Sequence, residues 1–549
     1  MDNESFSENE YSIMQLTSRF WHICAKLIPP FLQFHFSRHK PRSLPLQEAV
    51  KKIRIAFQEL GGTFIKLGQM LSARPDIVGP ELSDELRNLL DKQVSMPFKI
   101  IKSIIEVELK TPLTHLFKSF GTVSLSTASI GQVHKAVLST GETVVVKVQR
   151  TGLKKQVEKD LQLFKKLTVV LDLLVGSKGL RFEYLYKEFA EWIMSELDFR
   201  TEGRRADTFK HNMKDIHYIT VPQTYWQYTT SKVITSSFIS GMTLNAIFDE
   251  MRKQKALSID EVKLPFSIDG MTVAQHIIAG LFKQMFVDKF FHADLHPANL
   301  IVQKDNKVAF IDFGIIGILD TVEHTKMLLL LISLIENDPE ALIKVMISFS
   351  AESFTKEQKK TLNQQFAREL HKIHGGLVGM VSLSHFITSL LSLSKKYSIT
   401  WSSGLILVAK TISQIDSIAF QFGLKISAIE LIRPQLESQI TECFSKKVTK
   451  EMIFRETLEL IEAGKHLPES VAELEELVGD DLKLHVVDGG LINQRSLSSL
   501  DIILMLVVSI VGTYFFMQVS PIAESQYKNI FMIGFPLLLY FVIGRIIRS

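Results

Sequence analysis

The sequence predicts an α+β protein in which a small β-rich lobe and a larger helical lobe are joined to helical segments at both ends. Two strand-like runs, 132–138 and 143–148, flank the turn Ser139-Thr140-Gly141 and indicate a β-hairpin. From Thr272 onward the apolar spacing is mostly helical, apart from a segment around 291–317. Two uncharged apolar runs near the end of the chain complete the evidence for this fold class.

Changes in residue pattern along the chain divide it into six predicted segments. In chain order these are an amphipathic or packing helix, a helical extension, a β-rich lobe, a mostly helical lobe, a linker and an apolar hairpin. Their predicted bounds are 1–45, 46–120, 121–245, 246–480, 481–500 and 501–549. In the first segment, residues 12–38 fit a membrane-surface helix that breaks at Pro29-Pro30, or a helix packed against the fold.

The apolar runs 502–519 and 530–544 are separated by a short polar loop. A membrane-spanning helix needs about 20 apolar residues, so the pair predicts a transmembrane hairpin. The alternative is a buried helical pair in the core. Arg495, Arg545 and Arg548 lie at the ends of the hairpin and predict that both ends are cytoplasmic.

Composition excludes several classes of protein. Among 549 residues, 46% are hydrophobic and 22% charged, which is typical of a globular core and argues against disorder. The net charge is +4 and no Lys/Arg stripe is interleaved with aromatic residues, so a nucleic-acid partner is not predicted. Only Cys24 and Cys443 occur, which argues against a disulfide framework or a cysteine zinc site.

The segment with the most candidate catalytic residues runs from Phe291 to Leu300, and it is followed by the motif Ile311-Asp312-Phe313-Gly314. Phosphoryl transfer needs an Asp that orients or deprotonates the acceptor, and Asp294 is predicted to be this residue. Asn299, five residues later, and Asp312, after an apolar strand, are predicted ligands of Mg²⁺. Together with an upstream strand lysine, this order predicts a protein-kinase-like fold that binds ATP and Mg²⁺.

That lysine is Lys147, which follows Val144-Val145-Val146. Since β-branched neighbours fix the strand, its side chain could reach the α- and β-phosphates of ATP. Without the other motifs, Lys147 would more often be explained as an ordinary lysine on an edge strand. His292 and His296 flank Asp294 with the spacing of a zinc pair, but Pro297 favours a loop and structural hydrogen bonds instead.

The segment before Lys147 lacks the G-x-G-x-x-G loop of ordinary protein kinases. Beta-carbons in this segment restrict the approach of the backbone to phosphates, which predicts altered nucleotide handling. The predicted ATP-contacting residues, in addition to Lys147, are Ser126, Thr127, Ala128, Ser129, Ile130, Gly131, Gln132, Val133 and His134.

Over roughly residues 45–430, these motifs resemble the UbiB family of atypical kinases, a group named for ubiquinone biosynthesis. The most specific shared motif is K-x-G-Q, present as Lys66-Leu67-Gly68-Gln69. A second is E-x-D, present as Glu196-Leu197-Asp198. The resemblance implies that Lys66, Gly68 and Gln69 lie on a helix that occludes the active site, and that Glu196 and Asp198 engage this helix by opposite charge.

The same resemblance assigns further roles. Glu202 is the expected partner of Lys147, and the family's alanine-rich loop corresponds to residues 126–129, here Ser-Thr-Ala-Ser. Ser237 stands in the hinge-like strand where an acidic residue is usual.

The resemblance also implies a function. It implies that the protein is a membrane-anchored atypical kinase or ATPase that binds MgATP and supports aerobic ubiquinone biosynthesis, with Lys147, Glu202 and Asp294 as catalytic residues. Its expected partners are the lipid bilayer, quinone-precursor lipids and ubiquinone-biosynthesis proteins, and oligomerisation stays open. The expected location is the bacterial inner membrane with a cytoplasmic kinase-like domain, or alternatively the mitochondrial inner membrane. A true protein or small-molecule kinase and an ATP-binding pseudokinase scaffold are the alternative functions.

Overall fold

The computed structural model describes most of the chain up to residue 424. The described ranges are 13–37, 44–72, 74, 78–89, 95–175, 182–350, 354–375 and, with gaps, 387–424. The predicted linker 481–500 and the predicted hairpin 501–549 lie outside the described residues. Within the described residues, the mixed α+β content that the sequence predicts is confirmed.

Helices dominate both before and after a strand-rich middle section. The described helices are α1 Ile13–Ser37, α2 Leu44–Leu60, α3 Gly62–Ser72, α4 Pro80–Leu86, α5 Phe98–Leu109, α6 Leu113–Leu116, α7 Leu153–Val175, α8 Phe182–Glu196, α9 Phe199–Asn212, α10 Leu244–Gln254, α11 Gly270–Phe282, α12 Thr321–Ile335, α13 Pro339–Ile347, α14 Lys356–Gly375 and α15 Ser403–Gln421. A π-helical turn, Lys283–Asp288, extends α11.

The described strands are short, and the longest two form the predicted hairpin. They are β1 Phe117–Phe120, β2 Ser126–Thr127, β3 Gly131–Leu138, β4 Thr143–Gln149, β5 Ile219–Thr220, β6 Val233–Ser237, β7 Met242–Thr243, β8 Phe290–His292, β9 Leu300–Val302, β10 Val308–Phe310 and β11 Ile316–Ile318.

The chain divides into two compact units. The first contains residues 1–158 and 191–480, and the second contains residues 159–190 and 481–549. Every residue of the candidate site belongs to the first unit. Within the described part of the second, Phe164 and Phe189 meet edge to face with their ring centroids 6.1 Å apart.

Helix α1 continues through Pro29 and Pro30, so the predicted break there is wrong. The helix packs along α2, which supports it across the missing backbone donors. Lys26 forms an ion pair with Glu59 at 2.6 Å, and Ile23 is buried. Packing against the fold, one of the two sequence-based alternatives, is therefore observed for this helix, and Trp21, Ile28 and Phe31 of the same helix are exposed.

A five-stranded antiparallel sheet runs in the order β1-β3-β4-β6, with β2 paired to the first half of β3. The β3–β4 hairpin has the predicted position. Gly141 closes its turn with a φ of 108°, a conformation that glycine adopts without a steric cost.

Strand β4 alternates between a core face and a site face. Val144, Val146 and Val148 are fully buried, in a cluster that includes Ile101 and Ile105 of α5. Since successive side chains of a strand point to opposite faces, this burial directs Lys147 to the other face of the sheet. The apolar packing of β4 therefore fixes where the lysine emerges.

Two small sheets position the catalytic motif. One has the order β5-β10-β9-β7, and the other is the pair β8–β11. The predicted catalytic loop connects β8 to β9, and the Asp312 loop connects β10 to β11. Backbone hydrogen bonds from Ala293 to Ile315 (3.1 Å) and from Ile311 to Asn299 (3.1 Å) hold the two loops side by side.

Helices α10 to α15 form a large apolar core around these sheets. In the part of the chain that the structure describes, one helix is long and apolar enough to cross a membrane, namely α15, with 44% of its apolar window buried. Length and composition alone are weak evidence for a span. Leu405, Ile412 and Ile415 of α15 belong to the protein core.

Candidate active site

Lys147 lies at the centre of a cluster of opposite charges. Its Nζ donates to both carboxylate oxygens of Glu202 on α9, at 3.0 and 2.9 Å, and lies 3.9 Å from Oδ2 of Asp312. Burial opposes the charged form, but the carboxylates of Asp312 and Glu202 together raise the pKa of Lys147 above its ordinary value. The lysine is therefore a fixed cation beside the predicted metal loop.

The catalytic loop holds Asp294 by hydrogen bonds to both of its oxygens. Asn299 Nδ2 donates to Oδ2 at 3.0 Å and to the Asp294 carbonyl at 3.2 Å. Lys410 Nζ lies 3.1 Å from Oδ1. Burial acts to raise the pKa of Asp294, but the charge of Lys410 outweighs it, and the pKa falls to about 2. Asp294 is thus ionised at any physiological pH.

His292 links the two loops by hydrogen bonds, as the sequence analysis favoured. Its Nε2 donates to the carbonyl of Asp312, and its Nδ1 accepts from the backbone N–H of Asp294 at 3.2 Å. Burial lowers the pKa of His292, which keeps the ring neutral with its proton on Nε2. His296 similarly caps the following turn by accepting from the N–H of Ala298 at 3.2 Å.

Asp312 is held by its own loop. Its Oδ1 accepts from the backbone N–H of Gly314 at 2.9 Å, and its side chain remains 41% exposed. Burial acts to raise the pKa of this carboxyl, but Lys147 lowers it to below its ordinary value. Phe313 is buried and packs against Phe209 of α9, with ring centroids 5.0 Å apart.

The oxygens of this site fit Mg²⁺. Asn299 donates through its nitrogen, and this leaves Oδ1 without a hydrogen bond among the described residues. Asp312 Oδ2 is likewise without a hydrogen bond there. Amide and carboxylate oxygens are ligands that Mg²⁺ prefers, alongside phosphate oxygens and water. Within the described ranges, no three His, Cys, Asp or Glu side chains gather as a metal site.

The predicted nucleotide loop is placed on β2, β3 and the turn between them. The turn is held by Arg150, whose Nε donates to the Ala128 carbonyl at 2.9 Å, and Ser129 is buried. The hydroxyl of Thr127 lies 3.2 Å from that of Ser95. Ser126 pairs with Val133 in the sheet.

Alternation along β3 separates the predicted nucleotide-contacting residues into two sets. Val133 pairs with Lys147 and shares its face. Gln132 and His134 lie on the opposite face, where their side chains contact the fold. Gln132 Oε1 accepts from the Met96 N–H at 2.7 Å, and His134 Nδ1 lies 2.8 Å from the Gly121 carbonyl.

An ion pair connects the Lys66 helix, α3, to the site. Lys66 Nζ is 2.8 Å from Oε2 of Glu196. Gly68 packs closely, because an added β-carbon would lie 2.3 Å from Leu89 Cδ1. Gln69 contributes its carbonyl, which accepts from the Ser72 hydroxyl at 2.7 Å.

Asp198 does not engage the Lys66 helix, so this part of the E-x-D expectation is wrong. Its carboxylate accepts from the backbone N–H and the guanidinium of Arg200 at 2.8 to 3.2 Å. Asp198 is the N-cap of α9, and an Asp at this position stabilises the first turn of a helix. The residue positions the helix that carries Glu202.

Three residues of the site were not predicted from the sequence. Lys410 and Gln414 of α15 both contact Asp294, at 3.1 and 3.4 Å. Arg205 donates to the Gly314 carbonyl at 2.7 Å. Arg205 lies one helical turn after Glu202, and this spacing could have indicated that both side chains face the site. Lys410 lies 116 residues from Asp294, and no local sequence pattern indicates their contact.

Comparisons with known proteins agree with this geometry. Residues 88–346 match the family model of the ABC1 atypical kinase-like domain. The chloroplastic protein ACTIVITY OF BC1 COMPLEX KINASE 7 of Arabidopsis thaliana is 31% identical over 355 residues, which cover 63% of this chain and 49% of that protein. The Probable protein kinase UbiB of Shewanella baltica is 27% identical over 460 residues, which cover 81% of this chain and 78% of that protein.

Among solved structures, the Rv3197–erythromycin complex from Mycobacterium tuberculosis is similar with a TM-score of 0.46 and 21% identity, covering 69% of this chain and 93% of that one. The chain spans about half the length of the Arabidopsis relative.

The ordered set of strand lysine, helix glutamate, catalytic loop and metal loop defines an atypical kinase-like domain, in agreement with the ABC1 match. The resemblance to the UbiB family of atypical kinases is thereby confirmed.

Proposed function

We propose that the protein is a membrane-anchored atypical kinase or ATPase that binds MgATP and supports aerobic ubiquinone biosynthesis. One observation supports nucleotide binding above all others. Lys147 is held by Glu202 at 2.9 Å and lies 3.9 Å from Asp312, so a cation and a metal-binding carboxylate adjoin each other. A phosphate chain with its metal ion needs both charges in one place.

Each residue of the site has a role in this proposal. Lys147, oriented by Glu202, binds the α- and β-phosphates, and the turn before β3 covers them. Asn299 Oδ1 and Asp312 Oδ2 hold Mg²⁺, which when bound neutralises charge on the β- and γ-phosphates. Asp294 orients the acceptor. Because its pKa is about 2, it is a weak base and orients water or a hydroxyl rather than removing the proton.

The placement of α3 favours water or a small acceptor over a protein substrate. Lys66 of α3 is paired with Glu196, and a β-carbon on Gly314 would lie 3.8 Å from Oε1 of that glutamate. A helix fixed beside the metal loop occupies space that a polypeptide substrate would need. ATP hydrolysis that drives regulation of, or access to, lipid intermediates is the reaction we favour.

The membrane setting of the proposal comes from the sequence. Anchoring relies on the predicted hairpin 501–549, with the kinase-like domain on the cytoplasmic side of a bacterial inner membrane or in the mitochondrial equivalent. The partners would be the bilayer, quinone-precursor lipids and other ubiquinone-biosynthesis proteins.

MgATP turnover of the full chain, with and without membrane lipid or quinone-precursor analogues, tests the proposal. We expect lipid-stimulated hydrolysis that Asp312→Asn and Asp294→Asn each abolish. Asp288→Asn is the matched control, because Asp288 is also a carboxylate beside a lysine, Lys283, at 2.7 Å. Full stimulated turnover in Asp312→Asn would overturn the metal assignment.

A true kinase is the second candidate, and the name of the Shewanella relative, a probable protein kinase, favours it. It predicts a phosphorylated protein or small molecule in membrane extract supplied with labelled ATP. If MgATP shifts the unfolding temperature of the wild-type protein but neither hydrolysis nor a phosphorylated product is detected, an ATP-binding pseudokinase scaffold replaces both enzymatic functions.

A further inference from the structure

Lys410 is a cation at the catalytic loop that no motif of the sequence includes. Its Nζ lies 3.1 Å from Oδ1 of Asp294. Gln414, one helical turn later on α15, lies 3.4 Å from the same oxygen and accepts from the Leu295 N–H at 3.0 Å. One face of α15 therefore holds both the carboxylate and the backbone of the catalytic loop.

The ammonium of Lys410 retains donors for a substrate. Lys147, Lys66 and Arg205 are each engaged with a carboxylate or carbonyl of the fold. Lys410 donates to Asp294 alone among the described residues, whereas an ammonium carries three N–H donors. Its side chain is 22% exposed and that of Asp294 is 30% exposed, so the pair is accessible from solvent.

The hydrogen bonds of Asp294 show why a cation is useful here. Both carboxylate oxygens are already occupied, one by Asn299 and the other by Lys410. A carboxylate held in this way orients an acceptor but is a poor base for its proton. Stabilisation of the transferring group must then come from electrostatic contacts, which are the main source of catalysis in phosphoryl transfer.

We propose that Lys410 is a catalytic residue that donates a hydrogen bond to the γ-phosphoryl group of MgATP while it holds Asp294 beside the acceptor. This inference rests on the proposed function. In the step, the acceptor oxygen bonds to the γ-phosphorus as the bond to the β,γ-bridging oxygen breaks, and ADP leaves with that electron pair. The proton of the acceptor passes to the phosphate product or to solvent, and Asp294 stays ionised.

The experiment compares Lys410→Met, Lys410→Gln and Lys410→Arg in the full chain. Lys283→Met is the control, because Lys283 also pairs with a carboxylate and its side chain is 26% exposed. Two quantities are measured, namely MgATP turnover and the separate affinities for MgATP and MgADP from thermal shift. Lys410→Gln keeps a donor for Asp294 without the charge, so it gives an answer even if Lys410→Met folds poorly.

We expect Lys410→Met and Lys410→Gln to lower turnover on the order of 10²-fold, as expected for loss of one donor to a transition state. Both should weaken MgATP binding more than MgADP binding, because only ATP carries the γ-phosphoryl group. Lys410→Arg should recover part of both losses, and Lys283→Met should resemble the wild type.

An unchanged ratio of MgATP to MgADP affinity in Lys410→Gln would overturn this assignment, whatever happens to turnover, since a lysine that only positions Asp294 does not sense the γ-phosphoryl group. Failure of the wild-type protein to bind MgATP would overturn the proposed function itself, and the role of Lys410 with it. Wild-type binding with an unchanged ratio in the variant overturns the role of Lys410 alone.

Discussion

The ammonium of Lys66 lies 2.8 Å from the carboxylate of Glu196, and the two side chains are only 13% and 4% exposed. The ammonium also lies 5.7 Å from the ring centroid of Trp192. Glu196 is the last residue of α8, and its Oε1 adjoins the Gly314 position of the metal loop. This ion pair therefore connects α3 to the part of the site that would bind magnesium.

Replacing Lys66 with methionine should destabilise the protein, because it leaves Glu196 buried without its partner. Breaking a buried ion pair costs roughly 3–5 kcal/mol. Burial raises the pKa of Glu196, so this carboxyl can take up a proton and the loss should be near 3 kcal/mol. Denaturant unfolding at pH 7 measures it. The double variant Lys66→Met/Glu196→Gln should recover most of the loss, and equal stability of the single and double variants would contradict the pairing.

Gly68→Ala should also destabilise α3, for a steric reason. The added β-carbon would lie 2.3 Å from Leu89 Cδ1 and 2.7 Å from Phe57 Cδ2, and overpacking of this kind costs about 1–3 kcal/mol. Thermal unfolding of the two proteins gives the difference. Gly62→Ala in the same helix is the control, because its nearest neighbour is a flexible Leu153 methyl at 3.2 Å. Helix propensity favours Ala over Gly at both positions, so an equal gain in stability in the two variants would show that the close packing of Gly68 does not decide the outcome.

The sequence predicted the parts of the site that depend on local pattern. The β3–β4 hairpin follows from two β-rich runs around a glycine turn, and the position of Lys147 follows from the alternation of buried valines beside it. Asp294 and Asn299 belong to one short loop, so a motif was sufficient to pair them.

The parts that were missed depend on contacts between distant segments. Lys410 contacts Asp294 across 116 residues of sequence, and no local pattern around Lys410 indicates this contact. The E-x-D motif gave the correct partner for Glu196 but not for Asp198, because the end of α8 intervenes and Asp198 caps the next helix. The burial of the His134 side chain was also not predicted, because a stretch of sequence does not state which face of a strand is buried.

Arg205→Met should weaken magnesium-dependent nucleotide binding. The guanidinium donates to the Gly314 carbonyl at 2.7 Å and thereby fixes the loop that carries Asp312. Loss of a hydrogen bond from a charged donor costs about 1.5–3 kcal/mol, which corresponds to a rise of roughly tenfold or more in the magnesium concentration for half-maximal binding of ATP. A titration of Mg²⁺ at fixed ATP, followed by thermal shift, measures this rise.

Arg204→Met is the matched control for this prediction. Arg204 is the neighbouring residue on α9, it is exposed, and it donates to Thr201 instead of the metal loop. If both variants require the same magnesium concentration as the wild type, Arg205 does not position the loop.

The acid stability of the protein should depend on Lys410. The pKa of Asp294 is about 2 in the folded protein against an ordinary value of 3.8, so the ionised carboxylate contributes stability above pH 3.8 that is lost as the pH falls towards 2. Burial and the nearby Asp312 oppose this ionisation, while the charge of Lys410 favours it. Removing Lys410 leaves burial less opposed and should raise the pKa of Asp294.

Lys410→Met should therefore lose stability at a higher pH than the wild type as acid is added. Unfolding temperatures measured from pH 7 down to pH 3 should diverge below about pH 5, with the variant falling first, because its Asp294 takes up a proton earlier. Lys344→Met, which removes an exposed lysine on α13, controls for the loss of one positive charge. Parallel curves for Lys410→Met and the wild type would mean that Lys410 does not set the ionisation of Asp294, since the difference between their stabilities would then be independent of pH.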